Sequence, residues 1–193
     1  PPPPPGGVGG GGGGRAMKFR RILIANRGEI AVRIIRACRS LGISPVAVYC
    51  DGEENALHVR LADEARPLGP PLAGFLDASR LARIAKETNC QALHPGYGFL
   101  AEQASFAQAC KKAGVCFIGP SPQTLQLAGH KTEARSAVQK AGIPVIPGSP
   151  GLLETLASAQ KAAAKIGWPV ILKSAYGGGG KGMKAAHSAR EME

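Results

Sequence analysis

The chain has 193 residues, enough for one medium-sized domain and part of a second. Its 24 Lys and Arg against 13 Asp and Glu give a formal charge of +11, but no basic run reaches five residues and only 5% of the chain is aromatic. A solvated basic surface that suits anionic substrates accounts for this better than a nucleic-acid interface, and no run of about eighteen apolar residues offers a helical membrane span.

Thirteen of the first sixteen residues are Pro or Gly. Such a segment cannot bury apolar area, so a disordered tail is expected over 1–16. It carries neither the Arg/Ser pattern of a transit peptide nor the apolar centre of a signal peptide, and Met17 reads as a natural start. The five cysteines (Cys38, Cys50, Cys90, Cys110 and Cys116) are odd in number, lack CxxC spacing and lie in or beside apolar stretches. They predict buried free thiols in a reducing compartment, and so an intracellular protein.

From residue 21 the elements follow in order. The short apolar run 21–25 predicts a buried parallel strand. Asn26, Arg27 and Gly28 turn the chain into a helix opened by Glu29. In that helix Ile30, Ile34, Cys38 and Leu41 share one face, Glu29, Arg33, Arg36 and Ser40 the opposite one, and Gly42 marks its end. A second strand over 45–50 completes a βαβ unit, which predicts a doubly wound parallel sheet. The first turn holds a single glycine, Gly28, so it lacks the GxGxxG of a dinucleotide site.

Further on, 57–61 predicts a short helix and 77–89 an amphipathic one with Ala78, Leu81 and Ala85 inward. A strand over 90–93 runs into His94, Pro95, Gly96, Tyr97, Gly98 and Phe99. A helix over 102–113 (Phe106, Ala107 and Cys110 inward) and a strand over 115–118 follow. The texture changes between 121 and 131. Helices are expected over 124–128 and 131–141, then a proline-rich connection. Leu152, Leu156, Ala159, Ala163 and Ile166 line one face of a helix over 152–166. A strand over 169–172 leads to Lys173, a glycine segment, a returning strand at Met183 and a helix start near Glu193.

Residues 177–182 formally match GxGxxG, but a returning strand follows where a Rossmann fingerprint opens a helix. The Walker pattern would need glycine at Ala175 and Ser or Thr at Gly182, and a kinase loop would carry its lysine after the glycines. What remains is a glycine flap between two strands, flanked by Lys173 and Lys181. Without Cβ atoms its N–H groups can lie against a phosphate, although a plain flexible turn fits the same residues. The segment from His94 to Phe99 ends a parallel strand, where open α/β sheets bind ligands; a tight turn with stacked His and Tyr is the structural alternative.

Taken together, 22–36, 57–64, 94–102, 117–121 and the glycine segment resemble the N-terminal part of a biotin carboxylase, in that family's order and spacing over 18–193. This component occurs in acetyl-CoA, propionyl-CoA, methylcrotonyl-CoA and pyruvate carboxylases. The resemblance implies an α/β chain: a Rossmann-like, pre-ATP-grasp parallel-sheet domain over 17–125, then the incomplete start of an ATP-grasp domain over 126–193. The family reaction is the ATP-dependent carboxylation of biotin. Bicarbonate attacks the γ-phosphate to give carboxyphosphate, and its CO2 is captured by the ureido nitrogen of biotin. The protein's part is to place and neutralise phosphates beneath a closing lid.

By this resemblance Lys131 and Lys173 contact ATP, and Gly177, Gly178, Gly179, Gly180, Lys181, Gly182 and Met183 form the lid. Tyr97 and Gly98 face the bicarbonate and biotin side of the cleft. Arg33 and Arg36 lie on the face through which bacterial members form homodimers. The partners implied are a biotin carboxyl carrier and a carboxyltransferase, with no nucleic acid and no membrane. The compartment implied is the cytoplasm, or the mitochondrial matrix or a plastid. The family's Mg2+-binding glutamates, its general base and the arginine that holds biotin fall beyond Glu193, so no catalytic or metal-binding residue is assigned here and this stretch alone is expected to be inactive. His130 stands where the family usually has an acid, Lys181 replaces an arginine and loses its bidentate fork, and Ser40 stands where an acid often pairs across the dimer. A non-catalytic paralogue that pairs with a full-length carboxylase is the alternative. A carbamoyl-phosphate synthetase fits the Asn26–Glu29 and His94–Phe99 segments less well.

Overall fold

A computed structural model describes residues 19–149, 151–174 and 182–193, with the side chain of Lys131 excepted. The expected tail over 1–16 and Gly177, Gly178, Gly179, Gly180 and Lys181 lie outside the described residues.

Five strands pair in parallel: β1 (Arg21–Ile24), β2 (Ser44–Tyr49), β3 (Glu64–Pro67), β4 (Ala92–His94) and β5 (Cys116–Phe117). Their order is β3-β2-β1-β4-β5. Central β1 sets Ile22 beside Pro45 on one side and Ala92 on the other. Because successive side chains point to opposite faces, Leu23 and Ala25 enter one core and Ile22 and Ile24 the other. Helix α1 (Gly28–Ser40) covers the second core with Ala31, Ile34, Ile35 and Cys38. Helices α3 (Ala78–Glu87) and α4 (Ala104–Lys112) cover the first with Leu81, Ala85, Phe106 and Cys110. Burial on both faces is why Ile22, Leu23, Ile24 and Ala25 form an unbroken apolar run. The strand order reverses between β1 and β4, which opens a crevice at their C-terminal ends.

The expected helix over 57–61 is present as α2 (Leu57–Leu61). Strand β3 was not anticipated: Glu64, Ala65, Arg66 and Pro67 form a polar edge strand, and such edges carry charge and proline instead of an apolar run. Leu41, expected inward, is 69% exposed because α1 ends at Ser40 and Leu41 already leaves the helical path. Four cysteines are buried as expected, but Cys116 is exposed on the two-residue edge strand β5.

Chain contacts divide the molecule into two units, one holding residues through Ala101 and Phe106–Gly119, the other Glu102–Ser105 and Pro120–Glu193. In the second, Ser121 caps α5 (Pro122–Gly129) by accepting from the Thr124 N–H at 3.1 Å, and α6 (Lys131–Lys140) follows. Helix α7 (Leu156–Ile166) begins later than the apolar spacing suggested, because Thr155 and Ser158 close a reciprocal capping box there. Leu152 therefore precedes the helix, and Leu152, Leu156 and Ile166 are 66, 44 and 37% exposed. The small core of this unit admits Ala159 and Ala163 against Val170, Leu172, Ala186 and Met192. The returning strand is β7 (Met183–Ala186), antiparallel to β6 (Val170–Lys173); the terminal helix start is a single 3-10 turn, Ala189–Met192.

Candidate functional site

The loop after β4 is fixed at both ends and open in the middle. Ala25 N–H donates to the His94 carbonyl at 2.9 Å, extending the β1–β4 ladder by one residue. Asn26, 3% exposed, then reaches across the crevice. Its Nδ2 donates to the carbonyls of Pro95 (2.8 Å) and Tyr97 (2.7 Å), while its Oδ1 accepts from the Arg27 N–H at 2.9 Å. Gly96 sits directly against this amide with φ +65°; a Cβ there would lie 2.6 Å from Asn26 Nδ2. Its N–H donates to His94 Nδ1 at 3.0 Å, so the His94 proton is on Nε2. Beyond the turn, Phe99 stacks on the buried Phe75 with ring centroids 4.9 Å apart.

Of residues 92–100, Tyr97 and Gly98 are the exposed ones. The Tyr97 hydroxyl donates to Glu29 in the first turn of α1. That bond to a carboxylate holds the phenol above its usual value. Burial, helped by the nearby Arg33 guanidinium, pushes the His94 imidazole below the usual histidine range. At neutral pH the pair thus presents a neutral phenol and a neutral imidazole.

Arg33 and Arg36 are exposed on α1, and neither has an ion-pair partner among the described residues. They line an open hollow of about 720 Å³ with Arg27, Glu29, Glu53 and His58. Arg27 pairs with Glu53. Although burial works against ionising Glu53, bonds from the Cys50 N–H and Arg27 hold its carboxyl below the usual range. His58, 2% exposed, donates from Nε2 to the Val48 carbonyl at 3.2 Å, and burial lowers its pKa.

In the second unit, β6 and β7 pair Leu172 with Lys184 and Lys173 with Met183. The Ser174 N–H donates to the Gly182 carbonyl at 2.9 Å, closing the base of the glycine segment. Gly182 has φ +71°, and a Cβ on it would come within 2.9 Å of Ser174 Cβ. Alternation along the strands turns Val170 and Leu172 into the core and leaves exposed Lys173 on the other side with Ile171 and Met183, which are 62 and 51% exposed. Lys131 is the first residue of α6. Among the described residues no three His, Cys, Asp or Glu gather as a metal cluster, and no helix is long and apolar enough to cross a membrane.

The sequence alone had singled out Tyr97, Gly98, Lys173 and Met183, but not Asn26, Glu29 or Ile171 as partners in these arrangements. A polar residue directly after a doubly buried strand was the available sign for Asn26. For Glu29 the spacing of 68 residues to Tyr97 concealed the link.

A family model described as biotin carboxylase, N-terminal domain, matches residues 18–125, and one described as carbamoyl-phosphate synthase L chain, ATP binding domain, matches 130–193. Biotin carboxylase 1 of Bacillus subtilis is 49% identical over 175 residues, 90% of this chain and 39% of the relative. Human mitochondrial pyruvate carboxylase is 46% identical over 90% of this chain and 15% of its own length. Among solved structures, the biotin carboxylase–βγ-ATP complex from Campylobacter jejuni superimposes with a TM-score of 0.88 at 40% identity, covering 93% of this chain and 41% of that one. The biotin carboxylase domain dimer of Hydrogenobacter thermophilus 2-oxoglutarate carboxylase, solved with MgADP, ADP and bicarbonate, gives 0.85 at 45% identity, covering 90% and 39%. The chain thus spans about two fifths of the length of the first of these relatives.

Proposed function

The chain belongs to the family of biotin carboxylase N-terminal domains, and on that premise we propose that it forms the opening part of an ATP-dependent biotin carboxylase, with residues 17–125 as the pre-ATP-grasp domain and 126–193 as the start of the ATP-grasp domain. One observation carries this reading: the β6–β7 hairpin places Lys173 exposed beside Met183 and closes the base of a glycine segment through the Ser174–Gly182 bond.

These residues fit an oligophosphate. The exposed lysine at the hairpin base supplies charge, the glycines would supply N–H donors, and no side chain can be added at Gly182 without collision. Lys173 and Lys131 would neutralise phosphate oxygens, and residues 177–183 would lie over them and exclude water. Ile171 and Met183, on the same strand face as Lys173, supply apolar surface for a planar base. ATP with Mg2+ supplies the phosphoryl group that activates bicarbonate. At the other site Tyr97 and Gly98 would face bicarbonate and biotin, with the neutral phenol of Tyr97 oriented by Glu29. A biotin carrier and a carboxyltransferase are the partners of this reading. Arg33 and Arg36 would contact a second copy, and the compartment is the cytoplasm, the mitochondrial matrix or a plastid.

Titration calorimetry with ATP on the chain tests the nucleotide site. Binding is expected, weakened about tenfold or more in Lys173→Ala, which removes a charged hydrogen-bond donor. Equal affinity in the folded variant, or no binding by the folded parent, would overturn the assignment. The chain alone is expected to carboxylate no free biotin.

A further inference from the structure

We propose that Asn26 is the positioning residue of this site: its buried side-chain amide sets the path of the Pro95–Tyr97 backbone, and thereby the direction in which Tyr97 and Gly98 meet the anionic substrate. The inference rests on the carboxylase reading for the identity of that substrate, but its geometry is independent of it.

Among the described residues Asn26 is one of three buried polar residues, with His58 and Thr88, and it is the one at the C-terminal ends of β1 and β4. Each polar atom of its side chain is hydrogen-bonded. Both Nδ2 hydrogens go to carbonyls of the loop and Oδ1 takes the Arg27 N–H. The surroundings dictate this orientation, since two carbonyls require a donor and one N–H requires an acceptor. A single side chain therefore joins the exit of β1, the first residues of the α1 turn and the loop after β4. The Gly96 backbone packs directly against the amide, and a Cβ at that position would collide with Asn26. Further along, the Phe99–Phe75 stack fixes the loop's other end. Tyr97 and Gly98 are held between two anchors while remaining exposed. Asn26 itself is too buried to touch a ligand, so it acts through the loop.

Asn26→Asp tests this with little change in volume. The carboxylate has no hydrogens to donate and sets negative oxygen against the Pro95 and Tyr97 carbonyls, which should release the loop. In the chain itself, ultraviolet titration of the Tyr97 phenol, isolated by subtracting Tyr97→Phe, should fall toward the usual 10.0 as the bond to Glu29 is lost. An unchanged titration in a folded Asn26→Asp chain would overturn the proposal. If that variant does not fold, the parent decides: NMR couplings across hydrogen bonds from Asn26 Nδ2 to the Pro95 and Tyr97 carbonyl carbons should both be seen, and their absence overturns the proposal.

In a carboxylase containing this chain, Asn26→Asp should lower kcat/KM for bicarbonate and biotin by about 100-fold, the scale of a one-ångström misplacement, with KM for ATP unchanged. An equal change in KM for ATP would mark a general structural defect and sink the positioning role. If the parent enzyme has no carboxylase turnover, the functional reading fails, whereas the titration and the couplings still decide the role of Asn26 in the loop.

Discussion

The Tyr97 hydroxyl donates to the carboxylate of Glu29, joining the loop after β4 to the first turn of α1 across 68 residues of sequence. A carboxylate acceptor favours the neutral phenol, which is why Tyr97 holds its proton above the usual 10.0. Glu29→Gln keeps the size and removes the charge, so the phenol should titrate nearer 10.0. Since the folded value is raised, the contribution of this bond is complete below the unfolded value and disappears as pH rises through the folded one. Ultraviolet titration of the variant against the parent checks this, and coincident curves would refute it.

Acid should weaken the first unit through His58 and His94. Both have folded pKa values below the ordinary 6.5, chiefly through burial. Neutral imidazole favours the fold, so stability is full above 6.5 and is lost as pH falls through the folded values. Urea unfolding should show a midpoint that declines as the pH falls below 6.5, with a shallower decline in His58→Gln. A flat midpoint in the parent would count against the assignment.

Thiol chemistry should separate the cysteines. Cys116 is exposed, whereas burial raises Cys38, Cys50 and Cys90 and pushes Cys110 up to about 12. Alkylation under native conditions, read by mass spectrometry, should modify Cys116 first and the other four only on unfolding. Early modification of Cys110 would show that its helix opens.

Two truncations should differ sharply in cost. Phe106 is fully buried and meets Phe117 edge-on at 5.7 Å. Phe106→Ala should cost about 3–5 kcal/mol in the urea unfolding of the first unit. Leu152, 66% exposed, should cost less than about 0.5 kcal/mol on the same change. A costly Leu152→Ala would mean that this face is covered in solution.

Much of the fold was legible because its central elements obey single rules. The apolar run is continuous over 22–25 because that stretch is buried on both faces, and α1 keeps Ile34 and Cys38 inward with Arg33 and Arg36 outward. What escaped follows other rules. Strand β3 is a charged edge, and Leu152 has helical spacing but precedes the Thr155 cap. In the site, Tyr97 and Lys173 stood out by residue type and context. Asn26 and Glu29 stood out as a turn segment, but their link to the loop of Tyr97 did not, because it arises from strand order, which brings residues 26–29 beside 94–98 only once β4 pairs with β1.

That strand order also has a consequence for synthesis. The centre of the sheet is made first: Arg21 to Ile24 emerge before either neighbour, and Ile22 must wait for Ala92. At ribosomal speeds of about 5–20 residues per second, this doubly buried strand spends roughly four to fourteen seconds with one edge open. During that interval β2 can protect one side, but the other is free to pair with a neighbouring nascent chain. Ribosome-proximal chaperoning of this segment, or slow elongation before residue 92, would therefore govern how much of the protein reaches its native pairing.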